Sequence, residues 1–209
     1  GSHSCALFDE GQVRCWGAND TGQLGLGHAT ALDLSDIARD VPLVSLGAEA
    51  VAIAAGGMHS CAILDADMVR CWGDNSAGQL GLGHTSPVSE TSLPSELDLV
   101  DLGDVPLAIA AGDSHSCVLL ETGALRCWGD NSDGQLGSGD TESIGDDELP
   151  GEADEVPLGE SAIDVTTGGA HTCALLESGS VACWGHNSEG QLGLGHTFDI
   201  GDDEPITEA

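Results

Sequence analysis

A histidine directly precedes a hydroxyl residue four times in the chain, and such pairs could supply a base and a nucleophile. The four dipeptides are His3-Ser4, His59-Ser60, His115-Ser116 and His171-Thr172, each 56 residues from the next. Neighbouring side chains on a strand point to opposite faces, so the two groups of each pair would diverge. Fourfold recurrence favours a structural hydrogen bond, and we therefore predict no catalytic residues and no enzyme activity.

A second set of possible ligands follows glycine-containing turns at the same spacing. The set comprises His28, His84, Asp140 and His196. Imidazole and carboxylate groups bind transition metals, and imidazole titrates near neutral pH. One interpretation is a loose metal-binding or pH-sensitive collar at the rim, although we predict neither a bound metal nor a cofactor. His186 is expected to stand alone and exposed.

Each repeated unit also carries two cysteines with nine residues between them. The eight are Cys5, Cys15, Cys61, Cys71, Cys117, Cys127, Cys173 and Cys183. In CALFDEGQVRC, a turn at Asp9-Glu10-Gly11 places Cys5 opposite Cys15 on antiparallel strands, near bonding distance. Zinc sites usually use closer pairs such as C-x-x-C, and the chain has none. We predict four hairpin disulfides and an oxidising location, either periplasmic, at the cell surface or extracellular.

These residues belong to a longer segment that is written four times. Residues 71–84 read CWGDNSAGQLGLGH, and residues 15–28, 127–140 and 183–196 differ from it at few positions. A period of this length marks propellers, solenoids or arrays, in which each unit stacks on its neighbours. We expect one arc over residues 1–209, with repeats at about 3–58, 59–114, 115–170 and an incomplete 171–209.

One unit contains four segments with strand patterns and none with a helical period. They are AVAIAAGG (50–57), HSCAIL (59–64), MVRCWG (68–73) and LDLVDLG (97–103). Four strands per unit of about 50 residues indicate an all-β propeller with four-stranded blades. The hairpin between the second and third strands needs glycine at its third loop position, where Asp67 predicts a mildly strained variant.

The segment after each Trp-Gly predicts a tight, ordered connection. An asparagine and then Gly-Gln-Leu-Gly follow, and their side chains can bond loop backbone, supply positive φ and plug the loop onto the blade. The asparagines are Asn19, Asn75, Asn131 and Asn187. Arginine recurs two residues before three of the tryptophans, at Arg14, Arg70 and Arg126, which predicts an ion pair with a neighbouring unit.

Charge is the strongest feature of the composition. Four basic residues stand against 36 acids, for a net charge of -32. Such a surface repels nucleic acid and anionic membranes, and no stretch is apolar enough for membrane insertion. A basic protein partner fits, and the variable acidic segments are where we expect it to bind. The predicted partner-binding residues are Asp33, Asp36, Glu90, Glu96, Glu142, Asp146, Asp147, Asp202 and Asp203.

The full repeat resembles a known family. HSCALFDEGQVRCWGANDTGQLGLGH (3–28) and HTCALLESGSVACWGHNSEGQLGLGH (171–196) are similar to the repeats of the regulator of chromosome condensation family. The cysteine-containing form resembles secreted or surface bacterial members. This resemblance implies a β-propeller, commonly of seven blades. It also implies functions as varied as nucleotide exchange on a small GTPase, chromatin scaffolding and secreted inhibition of β-lactamase.

Three hypotheses for function follow. The first is a non-enzymatic, disulfide-stabilised scaffold for protein interaction outside the cell or at its surface. The second is a self-assembling structural protein, because incomplete end repeats are expected to leave strand edges unpaired. The arc is expected to be a fragment of a larger propeller, a small closed four-bladed ring, or part of a ring that a second chain completes, and contacts that do not close would give filaments. The third is a secreted enzyme inhibitor or a metal-dependent site at the rim.

Overall fold

The computed structural model describes residues 1–32, 40–88, 90–204 and 206, and this part of the chain contains β-strands and short 3-10 turns but no α-helix. None of these residues belong to a helix that is long and apolar enough to cross a membrane. The strands are β1 (His3–Leu7), β2 (Val13–Gly17), β3 (Ala50–Ala55), β4 (His59–Leu64), β5 (Met68–Gly73), β6 (Pro106–Ala111), β7 (His115–Leu120), β8 (Leu125–Gly129), β9 (Ala162–Thr167), β10 (His171–Leu176) and β11 (Val181–Gly185).

The strands form antiparallel sheets that follow one another in chain order. The first sheet pairs β1 with β2, and the others have the orders β3-β4-β5, β6-β7-β8 and β9-β10-β11. The first strand of each three-stranded sheet packs against its neighbours, since β3 contacts β1 and β6, and β6 contacts β9. Successive sheets are therefore blades of one arc, as the all-β prediction requires.

The fourth predicted strand of the second repeat, residues 97–103, is reduced to a single bridge. In the second repeat Val100 donates its N–H to the Val69 carbonyl over 2.9 Å, and no ladder extends from it. Val100 and Leu102 are buried, as the alternating pattern indicated. The neighbouring Asp101 carbonyl instead accepts the Gly151 N–H of the next repeat over 2.8 Å. The prediction of four-stranded blades is wrong in this respect, because alternation reports burial and not backbone pairing.

Each hairpin carries a disulfide in the predicted register. Cys5 is paired with Cys15, and the equivalent residues pair in the other three repeats. The Cα atoms of every pair are 4.1 Å apart, and all eight cysteines are in disulfides. The four bonds are Cys5–Cys15, Cys61–Cys71, Cys117–Cys127 and Cys173–Cys183. Each bond closes a loop within one blade, so it stabilises the hairpin and not the contact between blades.

The hairpin turns are of two kinds. Gly123 and Gly179 are the single left-handed residues of their turns, as predicted, with φ of 83° and 85°. In the second repeat both Ala66 and Asp67 have positive φ, at 62° and 63°. In the first repeat Glu10 is left-handed as well as the glycine that follows it. Strain is therefore present at Asp67 as expected, but it is shared with a second residue that the sequence did not single out.

Apolar side chains fill the space between successive sheets. One cluster joins Ile63 and Val69 of the second repeat to Val118 and Trp128 of the third. Leu80, from the loop that follows β5, is completely buried in the same cluster. Equivalent clusters lie between the other repeats. The loop leucine is therefore the plug that the repeat predicted, and the core belongs to the junctions between blades.

A backbone carbonyl in each loop accepts two hydrogen bonds from the following repeat. The Gln79 carbonyl accepts the Ser116 hydroxyl over 3.1 Å and the Trp128 indole N–H over 3.0 Å. The Gln23 and Gln135 carbonyls accept the equivalent groups of their following repeats. Because Trp and Ser come from one sheet and Gln from another, this contact sets the position of each blade against the last.

The recurring histidines extend this contact. His59 Nε2 lies 2.9 Å from Ser116 Oγ of the next repeat, and His3 and His115 make the same contact with Ser60 and Thr172. Since Ser116 already donates its only hydroxyl hydrogen to a carbonyl, His59 Nε2 must carry a hydrogen and donate it. The histidine bonds across the junction, and not to its own neighbouring serine, as the divergence argument predicted.

These histidines are held neutral. Burial is the main cause that lowers the pKa of His59 to about 3 and those of His3 and His115 to about 4. Their Nδ1 atoms are buried without a hydrogen-bond partner among the described residues. A proton added at Nδ1 would therefore place an unpaired charge inside the junction, which is costly.

In the described contacts, Arg70 and Arg126 bond within their own repeats, and not in the predicted ion pair with a neighbouring unit. Arg70 Nη1 donates to the Pro94 carbonyl over 2.7 Å, and Arg126 Nη1 donates to the Pro150 carbonyl over 3.0 Å. Both carbonyls lie in the long connection of the arginine's own repeat. Arg126 also lies 3.8 Å from Glu155 of that same repeat. The guanidinium donates hydrogen bonds to backbone carbonyls of the connection, because its planar group of N–H donors can reach several acceptors at once.

We expect removal of one hairpin disulfide to lower the free energy of unfolding by about 2–3 kcal/mol, because a crosslink over ten residues restricts the unfolded chain. The test is urea unfolding of the Cys117→Ala/Cys127→Ala protein. The same double change at Cys5 and Cys15 is the matched control, since its sequence separation is also 10. Thiols that alkylate in the unreduced, denatured wild type would contradict the pairing.

We expect stability to fall as the pH drops below about 6.5, and to keep falling to about pH 3–4. Three histidines have a folded pKa below the unfolded value of about 6.5, so the unfolded chain binds more protons in this window. His59→Gln, which keeps an N–H donor, should give a shallower loss, and His84→Gln should match the wild type. Urea unfolding between pH 4 and pH 8 measures the slopes, and equal slopes for His59→Gln and wild type would refute this origin.

Candidate protein-interaction surface

One buried asparagine organises the loop that follows each Trp-Gly. Asn131 Oδ1 accepts the Leu136 N–H over 2.9 Å, and Asn131 Nδ2 donates to the carbonyls of Asp140 and Glu142, both over 2.9 Å. The side chain of Gln135 also bonds the loop, accepting the Asp133 N–H over 2.8 Å. Asn19, Asn75 and Asn187 repeat the pattern. The loops are therefore ordered platforms, as the sequence predicted.

Glycines in these loops allow the next repeat to approach closely. Gly78 has a φ of 77°, and a Cβ there would lie 2.7 Å from the Asp146 nitrogen of the following repeat. A Cβ at Gly134 would lie 2.5 Å from the Asp202 nitrogen, and one at Gly22 would lie 3.2 Å from the Glu90 Cα. The three acidic residues therefore occupy equivalent places in three consecutive junctions.

Two of these junctions carry a group of three carboxylates. In each group the carboxylate oxygens lie within 4.8 Å of one another. The groups are Asp146, Asp147 and Glu148 in the third repeat and Asp202, Asp203 and Glu204 in the fourth. Asp147 and Asp203 are exposed, and the other four side chains are half-buried. Together with Glu90 these six residues form one row, which we call the acidic rim.

Crowding of like charges perturbs the acidic rim. A hydrogen bond with Asp203, burial and the charge of Asp202 raise the pKa of Glu204 to about 7. Burial and a hydrogen bond with Asp147 raise the pKa of Glu148 in the same way. Neither glutamate is among the predicted partner-binding residues, although each directly follows a predicted pair of aspartates. Near neutral pH the Glu204 carboxyl therefore holds a proton for part of the time, and a nearby positive charge would displace it.

The remaining predicted partner-binding residues have other positions. Glu96 is exposed, and its carboxylate accepts the Leu93 N–H over 3.0 Å at the start of the Pro94–Glu96 turn. Glu142 is exposed, and its backbone is bonded to the loop asparagine. Asp33 and Asp36 lie outside the described residues. The structure therefore brings Glu90, Asp146, Asp147, Asp202 and Asp203 into one row but gives Glu96 a local role as well.

The residues of the suggested metal collar each serve their own loop. His28 Nδ1 accepts the Thr30 N–H over 3.1 Å, and His196 Nδ1 accepts the Phe198 N–H over 3.3 Å. Asp140 Oδ1 accepts the Glu142 N–H over 3.0 Å in the corresponding turn. His84 Nδ1 lies 3.4 Å from the Asn75 amide. Among the described residues, the close groups of three possible metal ligands include none of these four, and a shared collar stays a hypothesis.

Comparison with known proteins identifies the repeat. The family model of the Regulator of chromosome condensation (RCC1) repeat matches residues 10–63, 69–119 and 122–175, which is more than half of the chain. A second model of the same repeat matches residues 50–79, 107–135 and 162–191. The human protein "Probable E3 ubiquitin-protein ligase HERC3" is 34% identical over 206 residues, which cover 98% of this chain and 18% of the relative.

Two solved structures share the fold. Human WBSCR16 superposes with a TM-score of 0.76 at 22% identity, over 99% of this chain and 51% of that one. Yeast RCC1 (Prp20), solved bound to Kap60, superposes with a TM-score of 0.74 at 22% identity, over 98% of this chain and 46% of that one. The chain thus spans at most about half the length of these proteins. Since the repeat matches most of its residues and its blades superpose on these structures, the chain belongs to the regulator of chromosome condensation repeat family of β-propellers.

Proposed function

We propose that the chain is a non-enzymatic scaffold that binds a cationic protein through its acidic rim, outside the cell or at its surface. The observation that carries the proposal is the acidic rim itself, in which carboxylates recur at equivalent places along consecutive junctions. A row of this kind, on loops with fixed backbone, can match a patch of lysines and arginines on a partner.

The perturbed carboxyl groups of the acidic rim favour binding of a cationic partner. The pKa of Glu204 is raised mainly by its hydrogen bond with Asp203 and that of Glu148 mainly by burial, and nearby negative charge adds to both shifts. A guanidinium or ammonium group placed between the carboxylates lowers those pKa values and releases protons. Binding through the rim should therefore be tighter at pH 8 than at pH 6, in contrast to attraction by the ionised carboxylates elsewhere on the surface.

The rest of the molecule suits this function. The buried asparagines fix the loops, and the four disulfides fix the hairpins, before a partner arrives, which reduces the entropy lost on binding. Disulfides of this kind persist in oxidising compartments, which supports a location outside the cytosol. Yeast RCC1, which shares the fold, is solved bound to another protein, Kap60. A protein that contains this fold therefore takes part in protein binding, which supports the proposal.

We expect neutralising the acidic rim to abolish partner binding. The change is Asp146→Asn, Asp147→Asn, Asp202→Asn and Asp203→Asn in one protein. The measurement is capture of secreted and surface proteins from the source organism on the immobilised wild type and variant, followed by affinity measurement for each captured protein at 50 and 200 mM salt. A rim-dependent partner should lose at least about tenfold in affinity with the variant.

The matched control carries the same change of charge on the exposed hairpin tips. It combines Asp9→Asn, Asp65→Asn, Glu121→Gln and Glu177→Gln, which lie at equivalent places in the four repeats. Retention of the partner by this control but not by the rim variant supports the proposal. If both variants bind every captured protein equally, attraction is a property of net charge alone and the proposed site is wrong.

We also propose self-assembly as a second candidate function, because the first repeat exposes donor groups that the equivalent residues of the other repeats bury. A Cβ at Gly190 or Gly193 would meet no atom within 4 Å, whereas the equivalent Gly134 and Gly137 pack against the next repeat. Phe198 is 75% exposed on this side of the arc. At the other face, Ser4 is exposed and Trp16 is half-buried, and these are the donor types that a loop glutamine carbonyl accepts elsewhere.

If two chains join through these faces, the Gln191 carbonyl of one should accept the Ser4 and Trp16 groups of the other. Native mass spectrometry in non-reducing buffer should then give a discrete dimer or larger ring, and Trp16→Ala should return it to monomers. His84→Ala, an exposed loop change in an internal repeat, should leave the assembly intact. A wild type that stays monomeric up to about 100 μM would exclude this second function.

A further inference from the structure

Three residues that depart from the repeat meet at the junction of the third and fourth repeats. His186 stands where the second and third repeats have Asp74 and Asp130. Asp199 stands where the third repeat has Ser143, and Asp133 stands where the second has Ala77. His186 Nδ1 lies 3.6 Å from Asp133 Oδ1 and 3.7 Å from Asp199 Oδ1. The expectation that His186 stands alone is therefore wrong.

The separations between these groups exceed those of hydrogen bonds. Hydrogen bonds between nitrogen and oxygen span about 2.7–3.2 Å. Among the described residues His186 Nδ1 is buried and has no hydrogen-bond partner, although it faces two carboxylates. Ligand atoms bound to one tetrahedral Zn²⁺ at about 2.0–2.2 Å are separated by roughly 3.4 Å. The two separations from His186 are thus close to those between ligands of one metal ion, and the ligand atoms of all three residues lie within 4.8 Å of one another.

The second nitrogen of the ring is held as metal-binding histidines usually are. His186 Nε2 lies 2.7 Å from Ser188 Oγ. A metal-bound histidine commonly donates its other N–H to an oxygen, which fixes the ring's orientation and tautomer. Asp199 is also positioned, because its Oδ1 accepts the Asn187 N–H over 2.6 Å. All three ligands are partly exposed, so an ion can reach them from solvent and keep water as a further ligand.

We propose that Asp133, His186 and Asp199 bind one divalent transition-metal ion of the zinc class. Two carboxylates match the charge of a divalent cation, and the imidazole favours zinc, cobalt or nickel over magnesium and calcium. Since Asp133 belongs to the third repeat and the other two ligands to the fourth, the ion joins the two loops. Binding should therefore stabilise this junction in addition to the hydroxyl and tryptophan contacts that the junctions share.

The first experiment is titration of the chelator-treated protein with Zn²⁺ by calorimetry, in 150 mM salt with millimolar Mg²⁺ to occupy nonspecific carboxylates. We expect one saturable site per chain and a higher Tm when Zn²⁺ is present. Co²⁺ should give a visible absorption band from nitrogen and oxygen coordination. Absence of a saturable site at about 100 μM Zn²⁺, well above the Kd range of specific sites, would overturn the proposal.

Variants separate this site from the other surface groups. Asp133→Asn and His186→Ala should each weaken Zn²⁺ binding by more than about tenfold. His186→Asp restores the residue of the second and third repeats, so it should fold normally but lose the preference for Zn²⁺ over Mg²⁺. His84→Ala is the control and should bind as the wild type does. If His84→Ala loses the site and the His186 variants retain it, the rim histidines are the ligands and the proposal is wrong.

Discussion

In each of the first three repeats, the backbone carbonyl of one loop glutamine fixes the position and orientation of the next blade. Gln23, Gln79 and Gln135 each accept a hydroxyl and an indole N–H from the following sheet. Both acceptor positions of the carbonyl are thereby used, and a buried neutral histidine bonds the same hydroxyl. Two donors from one rigid hairpin define an orientation as well as a distance. The loops at the rim therefore inherit their positions from a contact that lies inside each junction.

Local features of the fold could be predicted from the sequence. Features that depend on which of several possible partners a backbone group bonds could not. The cysteine pairs are set by a hairpin of ten residues, so spacing and turn chemistry were sufficient. The prediction of a fourth strand was wrong because the Asp101 carbonyl accepts the N–H of Gly151 in the next repeat, a partner 50 residues away. Arg70 likewise bonds a carbonyl of its own connection, and nothing in its spacing distinguished an acidic from a backbone acceptor.

The candidate sites likewise contain residues that could be predicted from the sequence and residues that could not. Asp146, Asp147, Asp202 and Asp203 could be chosen because acidic segments vary on a constant framework. Glu148 and Glu204 were missed because a raised pKa depends on burial and on a hydrogen bond between carboxyl groups, and the order of residues defines neither. His186 had seemed isolated for a related reason. Its two acidic neighbours are 53 and 13 residues away in sequence, and the approach of two repeats brings one of them within reach.

The disulfides have a mechanical consequence, because each closes a loop of ten residues and none joins one repeat to another. Under tension a blade can detach from its neighbour and release nearly its whole length, roughly 160 Å per repeat, before any covalent crosslink carries load. The hairpin inside each extended repeat stays closed and can nucleate its return. A chain built in this way is a series of identical extensible elements, and its response to force is set by junction contacts and not by covalent bonds.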